Sequence, residues 1–192
     1  IPYVAGALQL AARATTVLGG ATIPANDPTV DVARGIIERL AKGSAVRVGA
    51  CGTVANAALS AFKAQGRVGD LQGFFLKANT QSLSDLWADA TRLEVTDPLA
   101  HKLLLTENSS GFLVLPGTIQ TLDEVFSVLC EMQTGKRARV PLVLIGSDYW
   151  NPIIEACEQV MLSKERQTIS PEDFGHVTVV DDVETGLRAL AS

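Results

Sequence analysis

The residues best suited to do chemistry lie between Gly111 and Glu124, in the segment GFLVLPGTIQTLDE. An apolar run ends there at Pro116 and Gly117, and a helical pattern that carries the carboxylate of Glu124 follows. A buried parallel strand delivers a loop and a helix N-terminus to a ligand in this way. We therefore expect the functional site near residues 116–124.

The loop after the apolar run offers two kinds of contact to a ligand. Gly117 permits a close backbone approach, while Thr118 and Thr121 place hydroxyl groups beside the amides of a helix start, which suits a monophosphate. A structural interpretation fits the same residues: Thr121 is the N-cap of the helix, and Glu124 completes a capping box. An ionised glutamate near the positive end of a helix dipole gains about 0.3–1 kcal/mol in either case. The residues alone leave both interpretations open.

Short apolar runs alternate with longer segments of helical period, which is typical of a doubly wound α/β sheet. Strands are predicted at Thr16–Gly20, Ala45–Ala50, Leu71–Phe75, Arg92–Thr96, Phe112–Leu115, Leu142–Ile145 and His176–Val180. Helices are predicted near Val30–Lys42, Val54–Gln65, Pro98–Glu107, Leu122–Gln133, Asn151–Ser163 and Val183–Ala191. Ligands in open parallel sheets bind outside the carboxyl ends of the strands, so the turns there should converge on one crevice.

Three parts of the chain stand apart from this alternation. Residues 1–13 precede the first strand and are predicted to be an N-terminal extension of a single domain spanning residues 14–192. The polar segment Lys77–Ala90, which holds Trp87, is predicted to form a lid or a long crossover. Cys51 lies in a strand-end turn, where we expect it to fill space rather than to react.

Composition narrows the possible functions. The chain of 192 residues carries a formal charge of −5, and without a basic stripe it is not expected to bind extended nucleic acid. Its apolar runs are of strand length, far below the roughly 20 residues that span a bilayer, so no membrane partner is predicted. Three cysteines without metal-ligand spacing suit a reducing, cytoplasmic location, and two histidines give a metal site little to draw on. No metal is predicted.

The segment that begins at Pro116 resembles the signature P-G-G-x-G-T-x-x-E of the LOG family, the cytokinin riboside 5'-monophosphate phosphoribohydrolases, formerly described as lysine decarboxylase-like. The matching positions are Pro116, Gly117, Thr121 and Glu124. Thr118 and Gln120 stand where the family has glycines. The similarity covers nearly the whole chain after the first dozen residues. It implies a three-layer, Rossmann-like doubly wound parallel sheet in a single domain, and a homodimer.

The family carries a second motif, M-x-x-R-K, whose five positions fall on residues 98–102 of this chain. Lys102 matches, whereas His101 replaces the arginine. In the family, that arginine and the signature glutamate act together on the ribose of a nucleoside 5'-monophosphate. The resemblance therefore implies Glu124 and His101 as catalytic candidates. The candidates for binding the ligand or its phosphate are Gly20, Gly49, Gly52, Lys102, Gly117, Thr118 and Thr121.

Two functional hypotheses follow from the sequence. In the first, a divergent family member binds a nucleoside 5'-monophosphate or a related phosphorylated ligand and hydrolyses its N-glycosidic bond through Glu124. In the second, the protein is a catalytically inactive ligand-binding or scaffold protein, and His101, Thr118 and Gln120 mark a lost active site. No cofactor is predicted, because the chain lacks both a pyridoxal site and the G-x-G-x-x-G turn expected for NAD.

Overall fold

Alternating strands and helices form one parallel sheet with helices on both faces. The computed structural model describes residues 13–49, 52–77, 87, 89–165 and 167–192, and these contain seven strands and six α-helices. The strands are β1 (Ala14–Leu18), β2 (Val46–Val48), β3 (Leu71–Leu76), β4 (Thr91–Val95), β5 (Ser109–Val114), β6 (Leu142–Ile145) and β7 (Val177–Val180). The helices are α1 (Pro28–Leu40), α2 (Thr53–Ala64), α3 (Pro98–Thr106), α4 (Ile119–Gln133), α5 (Ser147–Met161) and α6 (Val183–Leu190).

The order of the strands creates a crevice at the centre of the sheet. The order is β4-β3-β2-β1-β5-β6-β7, and every pair is parallel. The chain therefore winds outward from β1 to β4 and returns to pair β5 with the other edge of β1. Such a switch in winding direction opens a crevice beyond the carboxyl ends of the two central strands. Leu18 pairs with Val114 at that end.

Side chains of the central strands alternate between the two faces of the sheet. Val17 and Leu113 pack into one apolar cluster with α1, α2 and α6. Their neighbours Leu18 and Val114 pack into a second cluster with α4 and the start of α5. Because both faces are buried, β1 and β5 end in continuous apolar runs rather than alternating with polar residues, and the polar side chains of Thr15, Thr16 and Ser109 nearer their starts are buried as well. The predicted three-layer α/β fold in a single domain is confirmed.

The predicted elements are found in the structure, but several bounds differ. The first strand was expected to extend to Gly20 and ends at Leu18, because Gly19 and Gly20 both adopt φ of +76°. The fourth helix begins at Ile119, three residues before its predicted start. The fifth begins at Ser147, four residues before its predicted start.

Some predictions concern residues outside the described part of the chain. The N-terminal extension is described only at Arg13, so its boundary stays a prediction. Ala50 and Cys51 are also outside, as are residues 78–86 and 88 of the predicted lid or crossover. Trp87 of that segment is described: it is buried, and its ring meets Phe75 edge-on at 5.2 Å.

The turns after β1 and β5 press against each other. The amide of Leu115 donates to the carbonyl oxygen of Leu18 at 3.0 Å, and the amide of Gly20 donates to that of Pro116 at 3.2 Å. A Cβ added to Gly19 would lie 2.5 Å from the carbonyl oxygen of Leu115. Backbone cannot give way as a flexible side chain can, so this position combines a left-handed conformation with a contact that only glycine allows.

We expect Gly19→Ala to lower the free energy of unfolding by about 2 kcal/mol or more, because it adds both backbone strain and a clash. Gly66→Ala is a matched control, with φ of +65° but open space around the position, and should cost about 1 kcal/mol. Gly43→Ala meets no atom within 4 Å and should change stability by less than about 0.5 kcal/mol. Chemical denaturation measures all three. Equal losses for Gly19→Ala and Gly66→Ala would show that the turns are not in tight contact.

Candidate functional site

A cavity of about 210 Å³ lies at the carboxyl ends of β1 and β5. It contains both catalytic candidates and several predicted ligand-binding residues. The residues that line it are Val17, Leu18, Gly19, Ala21, Thr22, Gly49, Leu76, His101, Leu105, Gly117, Thr118, Gln120, Thr121 and Glu124. The crevice at the switch in winding direction therefore coincides with the predicted functional segment 116–124.

Helix α4 points its N-terminus into this cavity. Its N-cap is Thr118, whose hydroxyl oxygen accepts from the amide of Gln120 at 3.3 Å. The interpretation of Thr121 as the N-cap, with Glu124 closing a capping box, was therefore wrong. Thr121 lies inside the helix and is buried, and a Cβ on Gly117 would collide with its hydroxyl. The side chain of Thr121 fills the space that Gly117 leaves open.

Glu124 lies in the second turn of α4, beyond the reach of a capping interaction. Its side chain is buried, with the residue only 5% exposed, and Oε1 accepts from Nε2 of Gln120 at 3.1 Å. Burial raises the pKa of Glu124; the Gln120 hydrogen bond opposes this, Asp123 adds to it, and Lys102 weakly opposes it. A carboxylate in such a site interacts more strongly with a developing positive charge than one in water.

His101, on α3, borders the same cavity but is held by the protein backbone. The residue is 2% exposed, and Nε2 lies 2.9 Å from the carbonyl oxygen of Phe74, to which it donates. Burial is the main cause that lowers the pKa of His101, while backbone hydrogen bonds to Phe74 and Gly49 oppose it. The neutral imidazole is therefore favoured, and one ring nitrogen is already in use. A neutral ring provides neither the charge nor the planar fork of an arginine.

The remaining predicted binding residues divide into two groups. Gly117, Thr118, Thr121 and Gly49 line the cavity, and the space beside Gly49 is filled by the side chain of Leu105. Gly20, Gly52 and Lys102 do not line it. Lys102 instead donates to Asp123 at 2.9 Å and to Ser127 at 3.1 Å on the outer side of α4. The structure therefore brings together only part of the predicted set.

Two supporting residues were missed by the sequence reasoning. The hydroxyl of Tyr149 on α5 donates to the carbonyl oxygen of Gly117 at 2.9 Å and so orients the loop before α4. Arg47 of β2 is fully buried, and it donates to the carbonyl oxygens of Leu105 and Glu107 at the end of α3. Burial lowers the pKa of Arg47 to about 10, which still leaves it charged. The one signal for Arg47 was a charge inside an apolar strand.

The described ranges contain no group of three or more histidine, cysteine, aspartate or glutamate side chains that could hold a metal ion. Within the same ranges, no helix is both long and apolar enough to cross a membrane. The polar side chains that line the cavity are the carboxylate of Glu124, the imidazole of His101, the amide of Gln120 and the hydroxyls of Thr22, Thr118 and Thr121.

Comparison with known proteins shows which family the chain belongs to. A family model described as possible lysine decarboxylase matches residues 51–190. The cytokinin riboside 5'-monophosphate phosphoribohydrolase of Rhodococcoides fascians is 30% identical over 155 residues, which cover 80% of this chain and 73% of that protein. The protein of the same name from Mycobacterium tuberculosis is 32% identical over 104 residues, 54% of each chain.

We expect His101 to make the protein less stable as the pH falls below about 6.5, the ordinary pKa of histidine. Its pKa is lower in the folded protein, so the unfolded chain binds more protons, and stability present above pH 6.5 is lost as the pH falls. Chemical denaturation measures the free energy of unfolding between pH 7.5 and pH 5. Its slope against pH should be smaller in His101→Gln than in the parent, by up to about 1.4 kcal/mol per pH unit. His176→Gln, introduced into both the parent and the His101→Gln variant, controls for the other histidine, whose pKa is also lowered. Identical slopes for the parent and His101→Gln would contradict the expectation.

Proposed function

Because the chain belongs to the family described as possible lysine decarboxylases, the LOG family, we propose that it binds a nucleoside 5'-monophosphate in the cavity beside α4. Bound there, the nucleotide is hydrolysed at its N-glycosidic bond to a free base and ribose 5-phosphate. The curated relatives act on a cytokinin riboside 5'-monophosphate, according to their names. The proposed location is the cytoplasm, where free Cys130 and Cys157 stay reduced.

The single observation that carries the proposal is the buried carboxylate of Glu124 inside the cavity. Cleavage of an N-glycosidic bond develops positive charge on the ribose ring carbon and ring oxygen. A carboxylate near that ring stabilises the charge and can accept a proton from the attacking water, whose oxygen ends on the sugar. The departing base leaves with the electron pair of the broken bond and takes up a proton.

The N-terminus of α4 supplies the proposed phosphate contacts. The first-turn amides of a helix lack partners within the helix and carry partial positive charge. Here Thr118, Gln120 and Thr121 line the cavity, and the amide of Gln120 donates to the hydroxyl of Thr118 at 3.3 Å. Gly117 lets the backbone approach a phosphate closely, and Tyr149 fixes its peptide. These groups can hold an anion without a lysine or arginine.

A second candidate function is binding without catalysis. The observation that favours it is the state of His101, which stands where the family has an arginine and is hydrogen-bonded to Phe74. No lysine or arginine is found among the described residues that line the cavity. The groups that would grip the ribose and phosphate are therefore weaker than in the family pattern.

We also propose that the protein is a homodimer whose contact surface lies next to the cavity. Leu99 on α3 is 68% exposed, and Ile119 at the start of α4 is 79% exposed. An ion pair between Lys102 and Asp123 joins the two helices. Leu99 lies about one turn before Lys102, and Ile119 lies about one turn before Asp123. The two apolar side chains thus occupy the same end of neighbouring helices, where a second copy could cover them.

For the activity, we expect the purified protein to release free base from one or more nucleoside 5'-monophosphates, measured by chromatography. Glu124→Gln should reduce the rate about a hundredfold or more, because it removes the charge that the reaction needs. Asp123→Asn is the matched control: it alters the neighbouring acid on the outer face of α4 and should leave most activity. A folded parent that releases no base but still binds nucleotide in calorimetry would support the inactive candidate instead.

For the assembly, we expect Leu99→Glu combined with Ile119→Glu to convert the dimer to a monomer at micromolar concentration, because both charges would be buried at the contact. Sedimentation velocity measures the change. Val160→Glu is the matched control, since Val160 is an exposed apolar residue on α5, 53% exposed, and is not part of the proposed contact. A parent protein that sediments as a monomer would contradict the proposed dimer.

A further inference from the structure

Gln120 and Glu124 stand one helical turn apart on α4, so their side chains share one face of the helix. Nε2 of Gln120 donates to Oε1 of Glu124 at 3.1 Å. Gln120 is exposed at the mouth of the cavity, whereas Glu124 is buried inside it. In the described part of the chain, no second hydrogen-bond donor reaches this carboxylate. One oxygen is therefore held by Gln120, and the other is left for a ligand.

We propose that Gln120 is a positioning residue for Glu124. By holding Oε1, it fixes the plane of the carboxylate so that Oε2 faces the ribose of the bound nucleotide. This inference rests on the proposed function, which it deepens. The residue stands where the LOG signature has a glycine, and a glycine has no side chain that could make this bond.

The surroundings of Glu124 give this contact an electrostatic consequence. An amide donor favours the ionised carboxylate and so opposes the rise in the pKa of Glu124 that burial causes. Among the charged neighbours, Asp123 on the same helix raises this pKa and Lys102 on α3 lowers it. His101, also on α3, borders the cavity and favours its neutral form. The described cavity residues that follow β1 carry no charge.

A titration of Glu124 tests the contact without any substrate. Carbon-13 NMR follows the side-chain carboxyl resonances of the protein from pH 3 to pH 9, and Glu124→Gln identifies the resonance of interest. Gln120→Met keeps the length of the side chain but removes the donor, so the pKa of Glu124 should rise. Gln120→Lys provides a charged donor at the same place, so the pKa should fall below that of the parent.

Gln133→Met is the matched control. It makes the same substitution on the same helix, where Gln133 is exposed and donates to Asp173 at 3.0 Å, far from the cavity. It should leave the pKa of Glu124 unchanged. Gln120 and Gln133 are both exposed, so their variants should keep the fold, and circular dichroism checks this for every variant, including Glu124→Gln at its buried position.

Steady-state hydrolysis of the preferred nucleotide gives the second readout. In Gln120→Met, the acidic limb of the pH profile of kcat/KM should move to higher pH. The value of kcat should fall more than KM changes, because the variant still binds the substrate but no longer orients the carboxylate. Gln120→Lys should recover part of kcat. A merely structural residue would not move the limb.

The outcomes separate this inference from the proposed function. An unchanged pKa of Glu124 in Gln120→Met would overturn the positioning role, whether or not the protein is active. A raised pKa in a protein that cleaves no nucleotide would uphold the contact between the two side chains, while the proposed hydrolysis and the catalytic part of the role would fail. A gain of activity in Gln120→Gly would show that the side chain obstructs the site, and would also overturn the inference.

Discussion

The close contact between the turns after β1 and β5 is the constraint on which the site depends. Gly19 has no room for a Cβ because the carbonyl of Leu115 lies against it, and two backbone hydrogen bonds join the turns. The start of α4 is placed by this contact, and Thr121 then occupies the space beside Gly117. A looser junction would separate the helix amides from the cavity that they border.

A buried polar layer supports the other wall of the cavity. Arg47 caps the end of α3 through two carbonyl oxygens and also donates to Gln72 at 3.0 Å. His101, on the same helix, is fixed by the carbonyl of Phe74. Buried polar groups that are fully hydrogen-bonded specify one arrangement of the surrounding core. The position of α3, and with it the neutral imidazole in the wall, therefore follows from contacts made beneath the site.

Much of the architecture could be predicted because hydrophobic periodicity and turn glycines are local signals. The doubly wound sheet, the crevice at the strand ends and the place of Glu124 beside it followed from them, together with the family resemblance, whereas the order of the strands was not predicted. The helix start was wrong because Thr118 and Thr121 have equal capping chemistry, and only the packing of Thr121 against Gly117 decides between them. The outward bonding of Lys102 and the burial of Arg47 depend on residues distant in sequence, which no local pattern reveals.

The charge balance of the cavity explains why a departure from the family pattern at residue 120 matters. A nucleotide phosphate would bring negative charge toward a desolvated carboxylate. A helix terminus of about half a positive charge and the ion-paired Lys102 would offset it, whereas His101 favours its neutral form. Repulsion from the phosphate would favour the protonated form of Glu124, which cannot stabilise a cationic ribose. A donor aimed at Oε1 opposes that protonation, because it favours the ionised carboxylate. In the proposed site, the neutral imidazole of His101 therefore leaves more of this task to Gln120.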